Sequence, residues 1–172
     1  PAMIGEPLKP HVLALRLIPD VAAPLAAALG LDGEQRCLGL VTADCDDALY
    51  AALDQGTKAA AVTVVYAKSF YAGARHASGP LSGEIIGMLA AADLETLIAG
   101  VTATVRYLRA ESWFYAADDA HTLAFFPHVV ASTGSYLSGI AGCRPGEPLA
   151  YLIAPPLEAM IGLDAALKAA EV

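Results

Sequence analysis

One stretch of this chain is written twice. Residues 38–62, LGLVTADCDDALYAALDQGTKAAAV, return as residues 149–172, LAYLIAPPLEAMIGLDAALKAAEV, once a single-residue gap is allowed. Leu53, Asp54, Lys58, Ala59, Ala60 and Val62 then face Leu163, Asp164, Lys168, Ala169, Ala170 and Val172. Alanine-rich helices match each other easily, so the identities carry only part of the argument. The order of elements around them carries the rest. A repeat spaced by about 110 residues means two units of one architecture in tandem.

Along the first unit, HVLALRLI (11–18) is an apolar run between Pro10 and Pro19 and reads as a strand. Asp20 is placed to cap the short helix VAAPLAAALG, which Gly30 stops. CLGLVTA (37–43) is a second strand. Asp44, Asp46 and Asp47 crowd the start of a helix running to about Ala61, the end at which acidic side chains suit the helix dipole. VTVVYA (62–67) and GEIIGMLAA (83–91) are further strands, separated by a glycine- and proline-bearing loop over 69–82. Asp93 caps a helix in which Leu94, Leu97, Ile98, Val101, Val105 and Leu108 fall at helical spacing. The order β-α-β-α-β-β-α predicts an α/β fold of the α+β sandwich kind, one sheet with helices on it. After a polar, aromatic junction (110–121) the second unit runs strand (123–131), short helix (132–142), strand (149–154), helix (156–171). It has no counterpart for the last strands and helix of the first, about 45 residues. Either the form is shortened from a longer protein or a neighbouring chain supplies the missing elements, and the first is the expectation.

Composition narrows what such a fold can do. Of 172 residues, 56% are hydrophobic and 16% charged, which excludes a disordered chain. A net charge of −8 argues against nucleic acid and against anionic membrane surfaces as partners. So small a charged fraction leaves apolar surface to cover, and predicts an oligomer or a sheet-like assembly. Residues 122–143 lack Asp, Glu, Lys and Arg, yet hold Pro127, Gly134, Gly139 and Gly142; they read as strand, turn and short helix, with no membrane span. Cys37, Cys45 and Cys143 are odd in number and lack CxxC spacing, so they read as reduced, small apolar side chains. No zinc framework follows from the four histidines.

The stretches LGLVTADCDDALYAALDQGTKAA, VVYAKSFYAGA, GEIIGMLA, STGSYLS and AYLIAPPLEAMIGLDAALKAAEV resemble the L-type shell proteins of ethanolamine-utilization bacterial microcompartments, from about Leu8 to Val172. The resemblance implies two circularly permuted microcompartment domains, here 1–110 and 111–172, the second incomplete at its C-terminal side where family members continue. It implies a structural protein with no catalytic residue, metal or cofactor. Its members form homotrimers in which paired domains mimic a hexagon. These tiles join other shell proteins in the microcompartment shell, within the cytoplasm. Pores through them pass small polar metabolites such as ethanolamine, and cobalamin is a further ligand linked to the family.

The acidic cluster is the polar group with most to say. Capping occupies one carboxylate or two; three within four residues repel one another, so some should face a cation. A primary ammonium is held by converging carboxylates, with an aromatic wall for cation–π contact. Matched to the family's small-pore site, the ligand-binding residues are Asp46, Asp47, Glu84 and Phe114. In the second copy Glu158 stands where the first has its aspartates, so only the first copy carries this site. The alternative is a soluble ligand-binding or sensory module of the same fold that does not tile. A metal-dependent enzyme built on these acids is disfavoured, because the reading finds no histidine beside them and no nucleophile. Cys45, set among negative charges, should resist forming a thiolate. Lys58 and Lys168 fall on matching helix faces and read as solvated or at tile edges.

Overall fold

The computed structural model describes residues 5–70 and 84–170. Two four-stranded antiparallel sheets divide the chain. In chain order the elements are β1 (Pro7–Leu8), β2 (Val12–Ile18), α1 (Ala23–Leu29), β3 (Cys37–Ala43), α2 (Asp46–Ala59), β4 (Thr63–Phe70), β5 (Glu84–Ala91), α3 (Leu94–Ala110), β6 (Phe114–Ala116), β7 (Ala124–Val130), α4 (Ser135–Ala141), β8 (Leu149–Ile153) and α5 (Pro156–Ala169). The first sheet has the order β2-β3-β5-β4 and the second β1-β6-β7-β8. The expected α/β sandwich is present, and β7, α4, β8 and α5 repeat the order of β2, α1, β3 and α2. The loop read over 69–82 falls mostly outside the described residues, and β4 itself extends to Phe70.

The core lies under the first sheet. β3 is buried along most of its length, as a central strand covered on one face by helices must be. α2 buries Ala48, Leu49, Ala52 and Leu53, and α3 buries Leu97, Val101 and Leu108. Asp93 caps α3 as read, its carboxylate accepting the Thr96 N–H at 2.8 Å. The apolar stripe of α3 is narrower than its leucines suggest. Leu94 and Ile98 are exposed, and Thr104 takes a core position instead, its hydroxyl returning to the Gly100 carbonyl at 2.9 Å.

Two helix starts differ from the sequence expectation. α1 begins at Ala23, with Ala22 as its cap residue and Pro24 in its first turn, so Asp20 lies in the preceding bend and caps nothing. Proline at this position supplies the first-turn geometry that a capping side chain otherwise supplies. α2 begins at Asp46, and its cap residue Cys45 makes no side-chain cap bond. The acidic residues of its first turn still suit the dipole. α1 and α4 close alike, on glycines in left-handed conformation, Gly30 (φ 67°) and Gly142 (φ 70°).

The second unit is thinner. β7 is half-buried, with Val129 75% exposed, because helices do not cover both of its faces. β8 pairs with β7 alone among the described strands, and α5 buries none of its residues. Segment 122–143 becomes β7 and α4, and among the described residues no helix is long and apolar enough to cross a membrane.

Candidate functional site

The loop from β3 into α2 carries the acidic cluster, and the fold gives each of its carboxylates a different partner. Asp44 receives the His11 backbone N–H at 2.7 Å, and its other oxygen lies 2.8 Å from His11 Nδ1. A histidine therefore does stand beside these acids. It comes from β2's leading residue, 33 positions away, through the β2–β3 pairing, which sequence spacing does not report. Asp46 accepts the Asp47 N–H at 2.9 Å and the Ser69 hydroxyl, from β4, at 2.7 Å. Asp47 accepts the hydroxyl of Tyr151, on β8. Burial raises the Asp47 carboxyl above its ordinary value, the Tyr151 bond opposes that rise, and the neighbouring Asp46 adds to it.

A cleft of about 720 Å³ opens beside this loop. Asp44 and Asp46 line it, with Ser69, His11, Phe114 and, from the opposite side, Glu6 and His121. Glu6 and His121 themselves pair at 3.1 Å. His121 adopts the left-handed conformation (φ 52°) in a turn fixed by Asp118, whose carboxylate accepts the N–H groups of Thr122 and Leu123. Those bonds hold the Asp118 carboxyl below its usual range, the Thr122 side chain contributing most. Phe114 is held flat against Phe126, ring centroids 4.9 Å apart.

Of the sequence-matched ligand residues, Asp46 and Phe114 thus line one cleft. Asp47 is not among its lining residues and is engaged across the unit boundary by Tyr151. Glu84 opens β5 opposite Phe70, one register step from the Ser69 that binds Asp46; its side chain lies outside the described residues. Glu6, His11 and His121 were invisible to sequence reasoning, since none falls in a motif. Among the described residues each oxygen of Asp44 and Asp46 has one donor, and a carboxylate oxygen can accept a second, which suits a small cation donor. The Cys45 thiol between them is pushed up to about 12, by burial first and by Asp46, Asp47 and Asp44 after it. The negative neighbours expected to suppress its thiolate are therefore the smaller cause.

A second polar system joins the two units. Asp54, on α2, is fully buried and accepts the N–H groups of Gly134 at 2.7 Å and Leu137 at 2.8 Å, at the start of α4. Thr57 accepts the Ser135 N–H at 3.2 Å. Lys58, read from sequence as solvated or at a tile edge, donates to the Ser132 carbonyl in the turn before α4 at 2.9 Å and so makes an inter-unit contact. Gly134 must be glycine here, since a Cβ would lie 2.6 Å from the Asp54 carbonyl oxygen. Tyr107 of α3 and His128 of β7 meet at 2.8 Å.

No family model matches the chain. The bacterial microcompartment shell protein EutL of Clostridium perfringens is 48% identical over 170 residues, 99% of this chain and 78% of that protein. EutL of Escherichia coli is 47% identical over 96% of this chain and 75% of that protein. The crystal structure of ethanolamine utilization protein EutL from Leptotrichia buccalis superimposes with a TM-score of 0.90, at 51% identity, over 98% of this chain and 78% of that one. The tandem α/β architecture and the relatives agree. The chain belongs to the EutL family of bacterial microcompartment shell proteins, which build the microcompartment shell and are not enzymes.

Proposed function

We propose that this chain serves as a homotrimeric, pseudohexameric shell tile, and that the cleft beside α2 is a small pore that selects ammonium-bearing metabolites such as ethanolamine. Its two tandem microcompartment domains are the stretches 1–110 and 111–172. The observation that carries the pore reading is the convergence of Asp44 and Asp46 with the ring of Phe114 on one cleft of metabolite size. A primary ammonium has three N–H donors, and free carboxylate lone pairs are the acceptors that match them. Phe114 supplies a face for cation–π contact. Asp46 is the central ligand, Asp47 holds it in place through its own amide, and Glu84 adds charge from the end of β5.

Titration calorimetry with ethanolamine, and with ethylene glycol as the analogue lacking the ammonium, tests the pore. Ethanolamine should bind weakly, ethylene glycol should not, and Asp46→Asn should weaken ethanolamine binding by about tenfold, the loss of one charge-assisted hydrogen bond. Equal binding of both ligands, or binding indifferent to Asp46→Asn, overturns it. The sensory-module alternative predicts tight binding and a discrete particle that does not associate laterally.

A further inference from the structure

We infer that His11 and His121 set the charge of the cleft beside α2 and so decide whether it holds a small cation. With both imidazoles neutral the cleft takes an ammonium ion, and with both protonated it releases one. The inference rests on the reading of this cleft as an ammonium-selecting pore, and adds two specificity-determining residues that also make the pore sensitive to pH.

The two histidines stand on opposite walls, each set against a carboxylate that lines the opening. On one wall His11 Nδ1 lies 2.8 Å from Asp44 Oδ2. The His11 backbone N–H donates to Asp44 Oδ1 at 2.7 Å, and its carbonyl accepts the Asp44 N–H at 3.3 Å. Three contacts between the same two residues fix the imidazole against the carboxylate. On the other wall His121 Nε2 lies 3.1 Å from Glu6 Oε2. The Glu6 carbonyl accepts the Ala116 N–H at 2.9 Å, and His121 donates its own N–H to the Asp118 carbonyl at 3.2 Å, so both are anchored at one end of the second sheet.

Neither ring serves the core. The His11 side chain is 77% exposed and that of His121 43%. Exposed ion pairs contribute little to stability. His121 nevertheless adopts the left-handed conformation (φ 52°), which costs a non-glycine residue free energy that burial of its ring does not offset. A backbone held this way under an exposed imidazole points to a role at the opening.

The lining gives the charge balance. Among the described residues the cleft presents the carboxylates of Glu6, Asp44 and Asp46 and one ammonium, Lys9, which rests 4.3 Å over the Trp113 ring. With neutral imidazoles the lining is net negative and suits a cation. Two imidazolium charges cancel that excess. They also engage Asp44 and Glu6 as charged donors, in direct competition with an incoming ammonium. Imidazole is the side chain that makes this change between pH 5 and pH 8. Other ionisable groups face the two pairs. The Cys45 thiol, pushed up to about 12, stays neutral, and Asp118, held below its usual range by the turn that carries His121, stays charged. Asp119 follows it in the same turn, and Glu84 opens β5 beside the Ser69 strand. Asp47 stands behind Asp46, raised by burial and bonded to the Tyr151 hydroxyl.

Titration calorimetry of ethanolamine into the whole chain at pH 7.5 and pH 5.5, at one ionic strength, tests this; the primary amine stays protonated at both. An exposed unit charge beside a bound ion changes affinity by about threefold, so two should weaken binding by about tenfold on acidification. Linkage then requires release of about half a proton per ethanolamine bound near pH 6.5, read from the dependence of the heat on the ionisation enthalpy of the buffer. His11→Gln and His121→Gln should each reduce the pH effect to about threefold, and the double variant should leave less than a twofold difference. The single variants carry the test where the double variant does not fold. Equal wild-type affinity at the two pH values overturns the inference and leaves the pore reading standing. A tenfold change that survives in the variants also overturns it and moves the titration to another group, Asp47 first. No ethanolamine binding at either pH overturns the pore reading and this inference together.

Discussion

Removing the Asp54 carboxylate asks how strongly the two units are joined. Asp54 is 0% exposed and accepts two backbone N–H groups from α4, with the Lys58 ammonium 3.8 Å away. Asp54→Ala leaves both amides and the ammonium facing an empty space that water enters poorly. A hydrogen bond to a charged group contributes about 1.5–3 kcal/mol, and loss of a helix cap alone costs about 0.5–2 kcal/mol. Two such bonds, lost together with the partner of a half-buried lysine, place the expected destabilisation at about 3–5 kcal/mol. Urea unfolding followed by circular dichroism and by the fluorescence of Trp113, the only tryptophan, measures it. For an m-value of about 2 kcal/mol/M the midpoint should fall by roughly 2 M. Gly134→Ala should act in the same direction, because its new methyl would press on the same Asp54–Thr57 turn. Combined, the two changes should cost less than their sum, since both disrupt the same contact between α2 and α4. A loss below about 1 kcal/mol for Asp54→Ala would refute the reasoning and mean that the units are held elsewhere.

Thiol chemistry and acid stability supply further predictions. Cys37 and Cys45, both raised chiefly by burial, should stay unlabelled by a disulfide reagent near pH 8 in the folded chain and react on unfolding; fast native labelling of either contradicts the burial. Burial raises the folded Asp47 carboxyl and lowers the folded His128 imidazole, so the two act oppositely on stability. Asp47 keeps a proton that the unfolded chain has released, so its contribution favours folding as pH falls toward the unfolded value of about 3.9 and is absent at neutral pH. His128 stays neutral where the unfolded imidazole charges, so it costs stability as pH falls through about 6.5. Melting temperatures should therefore drop less between about pH 7.5 and pH 5.5 in His128→Gln than in the wild type; an unchanged drop contradicts the assignment.

The long elements were legible because their own residues decide them. The strand CLGLVTA is an apolar run broken only by Thr42, and Asp93 announces α3 by local chemistry alone. β1 and β6 were not legible. Pro7–Leu8 and Phe114–Ala116 are too short and irregular to read as strands, and they exist as strands because each supplies the other's hydrogen bonds across more than a hundred residues. The candidate site divides the same way. Asp46 and Phe114 could be named by matching a pattern. The Tyr151 that takes Asp47, the His11 that takes Asp44 and the Glu6–His121 pair arrive through tertiary packing. The stripe on α3 misled because spacing reports a face without reporting its width, and a threonine that satisfies its own hydroxyl enters the core as readily as a leucine.

The pairing of β1 with β6 also fixes how the two units are joined. The chain crosses between the sheets twice, at residues 9–11 and again at 111–113, and the crossings lie side by side: Leu8 pairs with Phe114, and the Lys9 ammonium rests 4.3 Å over the Trp113 ring. Two adjacent covalent struts therefore join the sheets at one place. They tie the two sheets together along one line, and the contacts of Asp54, Tyr107 and Asp47 tie them again beyond it. The cleft is lined by β1 and the crossing that follows it, residues 7–11, and by Asp44 and Asp46 at the start of α2. The width of the opening is therefore fixed by how the two sheets are joined, at the paired crossings and at the Asp54 and Tyr107 contacts.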